Sequence, residues 1–190
     1  LSLTSESGEH VIYSLYHSEE GGGRIFGKAK TFPSLPGPAQ VFAASQRNKA
    51  FLIGSGTYWS IRYATTENVR WEETREIPIE HGVISGKYDR VFGVDTEGRV
   101  HTYSLDDPHP EAGLRAFFGK IQYEGQAEPQ YIWQSTGGTD NFEPKLSLIP
   151  LIVGSFKGTF YAMIFALPIA LLAAVYTSQF LKPEFRNYLK

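Results

Sequence analysis

Short alternating runs of apolar and polar residues fill the first three quarters of the chain. Turn residues separate these runs, and this pattern is typical of half-buried β-strands. The sequence predicts strands at residues 11–16, 24–30, 40–44, 50–53, 58–63, 69–71, 83–85, 91–94, 99–103 and 115–123. No stretch before residue 140 has the period of a helix, so the predicted fold class of this part is mainly β.

Some of these strands belong to a weak internal repeat. Residues 48–51 (Asn-Lys-Ala-Phe) resemble residues 89–92 (Asp-Arg-Val-Phe), 41 positions later, and Trp59 falls opposite Val100 at the same displacement. A period of about 40–45 residues with four short strands is typical of a β-propeller blade. Residues 95–98 (Asp-Thr-Glu-Gly) are a predicted hairpin turn.

The repeat indicates an incomplete, propeller-like antiparallel β domain over residues 1–130, with a generic antiparallel β domain as the alternative. A propeller ring needs roughly four to eight blades, and this domain has length for about three. The chain starts at Leu1 without an initiator Met or a signal-peptide pattern. We therefore expect a fragment of a longer polypeptide, with further blades before Leu1.

The pattern changes at residues 158–181, which are 24 consecutive residues without a charge. At about 1.5 Å per residue they make a helix of roughly 36 Å, enough to cross a hydrocarbon core of about 30 Å. The segment is apolar on all sides, unlike a surface helix. It is a predicted transmembrane helix, and a buried core helix of a soluble domain is the alternative.

Residues 131–157 are predicted to join the β domain to this helix. They contain a polar, glycine-rich stretch at residues 135–141 and a short apolar run at residues 146–156. That run is too short to span a membrane, and Pro150 limits its helicity. We expect it to lie along the outer interface, and residues 182–190 to begin the cytoplasmic part.

The composition of the helix predicts membership of a helix bundle. Small residues allow close helix packing, and membrane helices tolerate an internal proline because neighbouring groups satisfy the freed carbonyl. The predicted packing and kink positions are Gly154, Gly158, Ala162, Ala166, Pro168, Ala170 and Ala173.

Basic and aromatic residues flank the helix as predicted interface anchors. These anchors are Lys157, Tyr161, Tyr176, Lys182 and Arg186. Three basic residues follow the helix within about ten positions and two precede it, which predicts a cytoplasmic C-terminal end and a β domain outside the cytoplasm. Lys157 is either a lysine whose head group reaches the outer interface or a cation beside an ion path.

Charge and composition exclude several function classes. The 190-residue chain has a formal net charge of −2 and no cysteine, which argues against nucleic-acid binding and excludes disulfides and cysteine-ligated metals. His10, His17, His81, His101 and His109 have no metal-ligand spacing. Residues 106–111 lack the pattern of a calcium loop, and residues 135–139 lack that of a phosphate loop. No catalytic residue, metal or cofactor is predicted.

Two segments carry a family resemblance. Residues 142–155 (Phe-Glu-Pro-Lys-Leu-Ser-Leu-Ile-Pro-Leu-Ile-Val-Gly-Ser) lead into residues 166–178 (Ala-Leu-Pro-Ile-Ala-Leu-Leu-Ala-Ala-Val-Tyr-Thr-Ser). Together they resemble the PstC-type permease of bacterial phosphate ABC importers, whose first core helix opens with a Pro-x-x-x-Gly-Thr motif. Ser155 stands where the family commonly has Thr. Residues 1–130 resemble only the long variants, which carry a large periplasmic insert before this helix.

The resemblance implies a multi-pass permease subunit that moves inorganic phosphate across the bacterial inner membrane. It implies three partners besides lipid: a second permease subunit, a cytoplasmic ATPase subunit and a periplasmic phosphate-binding protein. One alternative is a membrane-anchored β-propeller sensor or interaction module that transports nothing. Another is an exported β domain whose apolar tail is buried in an oligomer.

Overall fold

The computed structural model describes residues 1–17, 22–138 and 142–180. The chain divides into two compact units, Leu1–Leu148 and Ile149–Lys190. The first unit is almost entirely β, and the described part of the second is one helix.

Three antiparallel sheets, with strands in chain order, make up most of the first unit. The first sheet consists of β1 (Ser2–Thr4), β2 (His10–His17) and β3 (Arg24–Phe32). The middle sheet consists of β4 (Val41–Ala44), β5 (Ala50–Ser55), β6 (Tyr58–Tyr63) and β7 (Asn68–Thr74). The third sheet consists of β8 (Ile79–Ile84), β9 (Arg90–Asp95) and β10 (Val100–Ser104).

The predicted repeat is confirmed by the strand order. β5 and β9 are the second strands of their sheets, and β6 and β10 are the third. The first strands, β4 and β8, contact each other, as the first strands of successive blades do. The hairpin between β9 and β10 turns at Gly98, which adopts a φ of 79°. The described strands form a propeller-like antiparallel β domain and do not close into a ring, and the mainly β fold class is confirmed.

The middle sheet is buried on both faces, because another sheet packs against each side. On one face Leu52, Trp59 and Ile61 form a cluster with side chains of the third sheet, among them Ile84 and Val91. On the other face Phe51 and Ile53 pack with Phe32 of β3 and with Leu35. The apolar runs of β5 and β6 therefore form the centre of the domain.

Two paired glycines allow the third sheet to approach the middle sheet. Gly82 of β8 lies directly opposite Gly93 of β9. A Cβ on Gly93 would come within 2.6 Å of the Trp59 ring, and one on Gly82 within 2.7 Å of Leu52 Cδ2. The close fit of the two sheets thus requires the absence of side chains at this pair.

The strand predicted at residues 115–123 is wrong. A short helix, α1 (Leu114–Phe118), occupies this stretch and buries Ala116. Gly119 ends the helix, where its N–H donates to the Arg115 carbonyl at 2.9 Å. Of residues 119–123, Ile121 alone pairs with another strand-like residue, in an isolated bridge with Gln130. The strand was predicted because Phe117, Phe118, Ile121 and Tyr123, on either side of this helix end, are residues typical of strands.

The first unit also extends further than predicted, to Leu148 rather than residue 130. Two short strands, β11 (Trp133–Gln134) and β12 (Lys145–Leu146), pair with each other. The Ser147 N–H donates to the Ile132 carbonyl, and the Leu148 N–H donates to the Phe117 carbonyl at 2.8 Å. Residues 142–148 are therefore part of the folded domain and not a linker.

The apolar helix α2 (Ile149–Phe180) has 32 residues and begins nine positions before the predicted start. Pro150 lies in its first turn, where the missing N–H would have no partner in any case. The run at residues 146–156 is therefore mostly helical and continuous with the predicted span. Among the described residues α2 is the one helix long and apolar enough to cross a membrane. Predictions for residues 139–141 and 181–190, including Lys182 and Arg186, lie outside the described residues.

We expect Gly93→Ala to destabilise the β domain by about 1–3 kcal/mol, the usual cost of overpacking a core. The new methyl group would meet the Trp59 ring. The measurement is urea unfolding followed by tryptophan fluorescence. Gly138→Ala is the matched control, because a Cβ there has no neighbour within 4 Å. Equal midpoints for the two variants would contradict the close approach.

Candidate functional site

Five of the seven predicted packing and kink positions, all except Pro168 and Ala173, lie along one ridge of α2. Every fourth residue from Gly154 to Ala170 is small, and residues four apart are neighbours on a helix surface. Pro168 lies inside α2, which continues past it to Phe180. No residue of α2 is buried in this unit. The structure therefore brings the predicted small residues together on one continuous surface of the helix.

The predicted interface anchors within the described residues lie at different positions along the axis of α2. Lys157 lies inside α2 rather than before it, about 12 Å from the first residue at 1.5 Å per residue. Tyr161 and Tyr176 are both exposed, but fifteen residues separate them by only about 22 Å. Phe160 and Phe180 are about 30 Å apart, which equals the thickness of a hydrocarbon core. Tyr176 stacks on Phe180 with ring centroids 5.7 Å apart.

A buried arginine–histidine pair is the first site that the sequence did not reveal. Arg62 of β6 and His10 of β2 are both fully buried. Arg62 Nη1 donates to His10 Nδ1 at 2.9 Å and to the Pro33 carbonyl at 2.7 Å. Because a guanidinium only donates, His10 Nδ1 is the acceptor, and the proton lies on Nε2, which contacts Ser2 Oγ at 2.8 Å.

The surroundings of this pair favour a neutral histidine. The His10 ring stacks on Phe32, with centroids 4.7 Å apart, and meets Phe51 edge-on. Burial, and then the positive charge of Arg62, lower the pKa of His10 from 6.5 to about 4. Arg62 makes no ion pair within the part of the chain that the structure describes. The pair ties the first sheet to the middle sheet through hydrogen bonds rather than opposite charges.

A second buried group of charges ties the C-terminal part of the domain to the sheets. Lys30 Nζ donates to the carbonyls of Thr65 and Gln122. Glu143 accepts from Thr65 Oγ1 at 2.5 Å and from the Glu124 N–H at 2.9 Å. The pKa of Lys30 is lowered, because the effect of burial outweighs that of the nearby carboxylates. Glu67 and Glu143 are the carboxylates that raise this pKa most.

A cavity beside this group has a volume of about 60 Å³. Its lining includes Lys30, Lys49, Tyr123 and Glu143. A cavity of this size holds no more than a few water molecules. The cavity is therefore too small for an organic ligand. The buried charges serve instead to hold residues 121–148 in place.

Two carboxylates organise the third sheet. Asp95 accepts from His101 Nε2 at 2.8 Å, and from the N–H and Nε of Arg99 at 3.0 Å each. The His101 and Arg99 contacts hold the pKa of Asp95 well below its usual range. Asp107 forms a two-pronged ion pair with Arg70 and accepts from the Tyr88 hydroxyl at 3.1 Å.

A shallow cavity of about 420 Å³ lies beside the Asp95 hairpin. Both acidic and basic side chains line it. The lining residues are Glu73, Thr74, Arg75, Glu76, Ile77, Arg99 and His101. In the described ranges 1–17, 22–138 and 142–180, no three histidine, aspartate or glutamate side chains converge as a metal site. His81 and His109 lie on the surface next to Glu80 and Glu111.

No family model and no curated protein sequence matches this chain. Among solved structures, the chain is similar to the Cps50 (Swd1) β-propeller domain of Myceliophteria thermophila. The likeness covers 56% of this chain and 38% of that chain, at 10% identity and a TM-score of 0.36. The matched part is thus well under two thirds of the length of the propeller domain.

We expect the stability of the β domain to fall as the pH drops from about 6.5 to about 4. The pKa of His10 is lower in the fold than in the unfolded chain, so protons bind the unfolded chain more readily in this range. The loss amounts to at most about 3 kcal/mol, at 1.36 kcal/mol per pKa unit. The measurement is the urea midpoint at a series of pH values.

His10→Gln keeps hydrogen-bonding atoms but does not titrate, so the slope in this pH range should flatten. His81→Gln, at an exposed histidine, should keep the slope of the unsubstituted protein. An unchanged slope in His10→Gln would contradict the account of the buried pair.

Glu143→Gln should loosen residues 121–148 from the sheets. It removes the negative charge near Lys30 and weakens one buried and one partly buried hydrogen bond, at a cost of about 1–3 kcal/mol. Limited proteolysis should then cut residues 124–138 faster than in the unsubstituted protein. Glu128→Gln, at an exposed position, is the control, and equal cutting rates for both variants would argue against this role.

Proposed function

We propose that the protein is a permease subunit of a bacterial ABC importer for inorganic phosphate. The observation that carries the proposal is α2, an apolar helix of 32 residues with no buried residue in its own unit. Thirty-two residues extend about 48 Å, more than the roughly 30 Å of a hydrocarbon core. The sequence around this helix resembles the opening of the first core helix in phosphate permeases.

The small-residue ridge of α2 supports the assignment to a helix bundle. A lone membrane anchor needs only an apolar surface. In α2, small side chains recur at every fourth position of one ridge, at Gly154, Gly158, Ala162 and Ala166. Such ridges let two helix backbones approach closely. In the proposed importer the partners of α2 are the remaining permease helices, and two ATPase subunits lie on the cytoplasmic side.

The proposal places the β domain in the periplasm, where a phosphate-binding protein delivers the ion. The ratio of basic residues at the ends of the helix supports this orientation. The β domain offers a large surface for such a partner, because Leu1–Leu148 is one compact unit. Its buried charge groups serve the fold, so we propose no phosphate site within it.

A membrane-anchored propeller module without transport activity is the second candidate. The observation that favours it is that the compact β unit extends to Leu148, directly before α2 begins at Ile149. In this case α2 would only tie the domain to the membrane, and substitutions on its small-residue ridge would leave all functions intact.

Ala166→Phe should lower phosphate uptake several-fold in cells that depend on this protein for phosphate. The added ring would overpack a helix contact at a cost of about 1–3 kcal/mol. The control is Ile164→Phe, which lies about 160° around the helix from Ala166. Radiolabelled phosphate uptake is measured at equal protein levels in the membrane. Equal and undiminished uptake in both variants would favour the anchor module.

The full-length protein should stay with the membrane when vesicles are washed at high pH. A spanning helix resists this treatment, whereas a peripheral domain is released. Sedimentation followed by immunoblotting gives the measurement, with a known peripheral protein as the control. Release into the supernatant would favour the third possibility, in which the apolar tail is buried in an oligomer.

A further inference from the structure

The C-terminal part of the β domain carries exposed apolar side chains on one small substructure. This substructure consists of α1, β11, β12 and the residues between them, and its buried cluster is formed by Ala116, Ile121 and Tyr123. Leu114 and Phe118 lie four positions apart on α1, so they share one face of the helix. That face points outward, because Ala116 on the opposite face is buried. Leu114 is 80% exposed and Phe118 is 48% exposed.

Two further aromatic residues of this substructure are exposed. Tyr131 is 39% exposed and Trp133 is 41% exposed, whereas Ile132 between them packs on the buried cluster. This alternation arises because successive residues of an extended segment point to opposite sides. Lys120 places its Nζ over the Tyr131 ring, 5.6 Å from the ring centroid. The name aromatic patch is used below for Leu114, Phe118, Lys120, Tyr131 and Trp133.

The charge around the aromatic patch is positive. The segments that carry and adjoin it are residues 114–120, 130–134 and 145–148. They contain three basic residues and no acidic residue, although the whole chain has a formal net charge of −2. Arg115 is paired with Glu67. Lys120 and Lys145 have no carboxylate partner among the residues that the structure describes, so they are available to an anionic partner.

The aromatic patch lies close to the last residue of the β domain. The Leu148 N–H donates to the Phe117 carbonyl at 2.8 Å, and the Ser147 N–H donates to the Ile132 carbonyl at 3.0 Å. The two patch residues that directly follow these acceptors therefore have their Cα atoms within roughly 13 Å of that of Leu148. The backbone hydrogen bonds hold the patch at this end of the domain.

The length of α2 determines where this end of the domain lies relative to a membrane. The helix begins at Ile149, directly after the domain, and its 32 residues extend about 48 Å. A tilt of about 20°, the average for membrane helices, shortens this to about 45 Å along the membrane normal. That equals the thickness of a bilayer with both headgroup layers, about 40–45 Å. Leu151, Ile152 and Val153 are exposed in the first turns of α2, so its apolar surface starts directly after the domain.

We propose that the aromatic patch lies in the outer headgroup layer of the membrane, an inference that rests on the proposed function only in that α2 crosses this membrane. Tyrosine and tryptophan are enriched at this depth, because their rings are apolar and carry one polar group. Lys120 and Lys145 contact the lipid phosphates, and Leu114 and Phe118 reach towards the hydrocarbon. The contact fixes the β domain on the membrane surface, so that it does not swing freely about the start of α2.

Fluorescence quenching by lipids tests the proposal. The full-length protein is reconstituted in liposomes of equal parts phosphatidylcholine and phosphatidylglycerol, and one introduced cysteine carries a fluorophore. The present chain has no cysteine, and any other cysteine of the full-length protein is replaced. Ser135→Cys places the fluorophore two residues after Trp133 and keeps every patch residue, and Leu114→Cys is a second position. Leu171→Cys lies inside α2, and Val100→Cys, at an exposed residue of the third sheet, is the control away from the patch.

A nitroxide on the lipid headgroup should quench the Ser135→Cys and Leu114→Cys fluorophores at least about threefold more than the Val100→Cys fluorophore, because residues at the interface are in contact with headgroups. A nitroxide deep in the acyl chain should quench the fluorophore of Leu171→Cys. Strong quenching inside α2 with equally weak quenching at the other three positions would overturn the patch contact and leave the span intact. Weak quenching inside α2 would contradict the span itself. Patch fluorophores that neither the lipid nitroxide nor iodide in the water quenches would identify a protein cover, which would also overturn the proposal.

A charge reversal tests the role of the headgroups. Lys120→Glu turns attraction to anionic lipid into repulsion, so the headgroup quenching of the Ser135→Cys fluorophore should fall at least about twofold. Lys87→Glu, at an exposed lysine away from the patch, is the matched control and should keep the quenching of the parent protein. Equal quenching in the two variants would contradict a contact between Lys120 and the lipid phosphates.

Discussion

The burial of the middle sheet between its two neighbours is the interaction on which the rest of the β domain depends. Trp59, Leu52 and Ile61 fill one side of this sheet, and Phe51 and Ile53 fill the other. Fully burying one such side chain contributes roughly 1.5–3 kcal/mol. The Gly82–Gly93 pair sets how closely the third sheet approaches. The three sheets therefore share one apolar core, which the two faces of the middle sheet supply.

Buried charged side chains then fix the positions of the segments that surround the middle sheet. Arg62 joins β6 to the end of β3 through the Pro33 carbonyl, and to β2 through His10. Lys30 and Glu143 hold residues 121–148 against the same sheets. Buried polar groups are costly unless they are hydrogen-bonded, so they tolerate few alternative arrangements. They therefore specify one arrangement, whereas the apolar core supplies most of the stabilisation.

Local patterns of the sequence were sufficient to predict most strands and the apolar helix. The 41-residue repeat at residues 48–51 and 89–92 predicted the equivalence of β5 and β9. The helix α1 was missed because Phe117 and Phe118 resemble strand residues, and its five residues are too few to show a helical period. The start of α2 was placed too late because the predicted span began after the charge of Lys157. Pro150 was also expected to limit the helicity of the preceding run, although a first-turn proline is well tolerated.

The polar sites could not be predicted, because their members lie far apart in the chain. Arg62 and His10 are 52 positions apart, and Thr65 and Glu143 are 78 apart. Spacing rules detect only sites formed by neighbouring residues. The sequence offered one signal for the Arg62–His10 pair. Arg62 lies between the apolar residues Ile61 and Tyr63 in a predicted strand, where a charge is unusual.

In the proposed function, α2 crosses a membrane and the β domain lies on its outer side. The most direct measurement adds a protease to intact spheroplasts that contain the full-length protein, with one epitope tag inserted at Gly138 and another placed after Lys190. The account predicts that the tag at Gly138 is cleaved away, whereas the tag after Lys190 survives until the membrane is opened with detergent. Loss of both tags, or survival of both, in intact spheroplasts would contradict it.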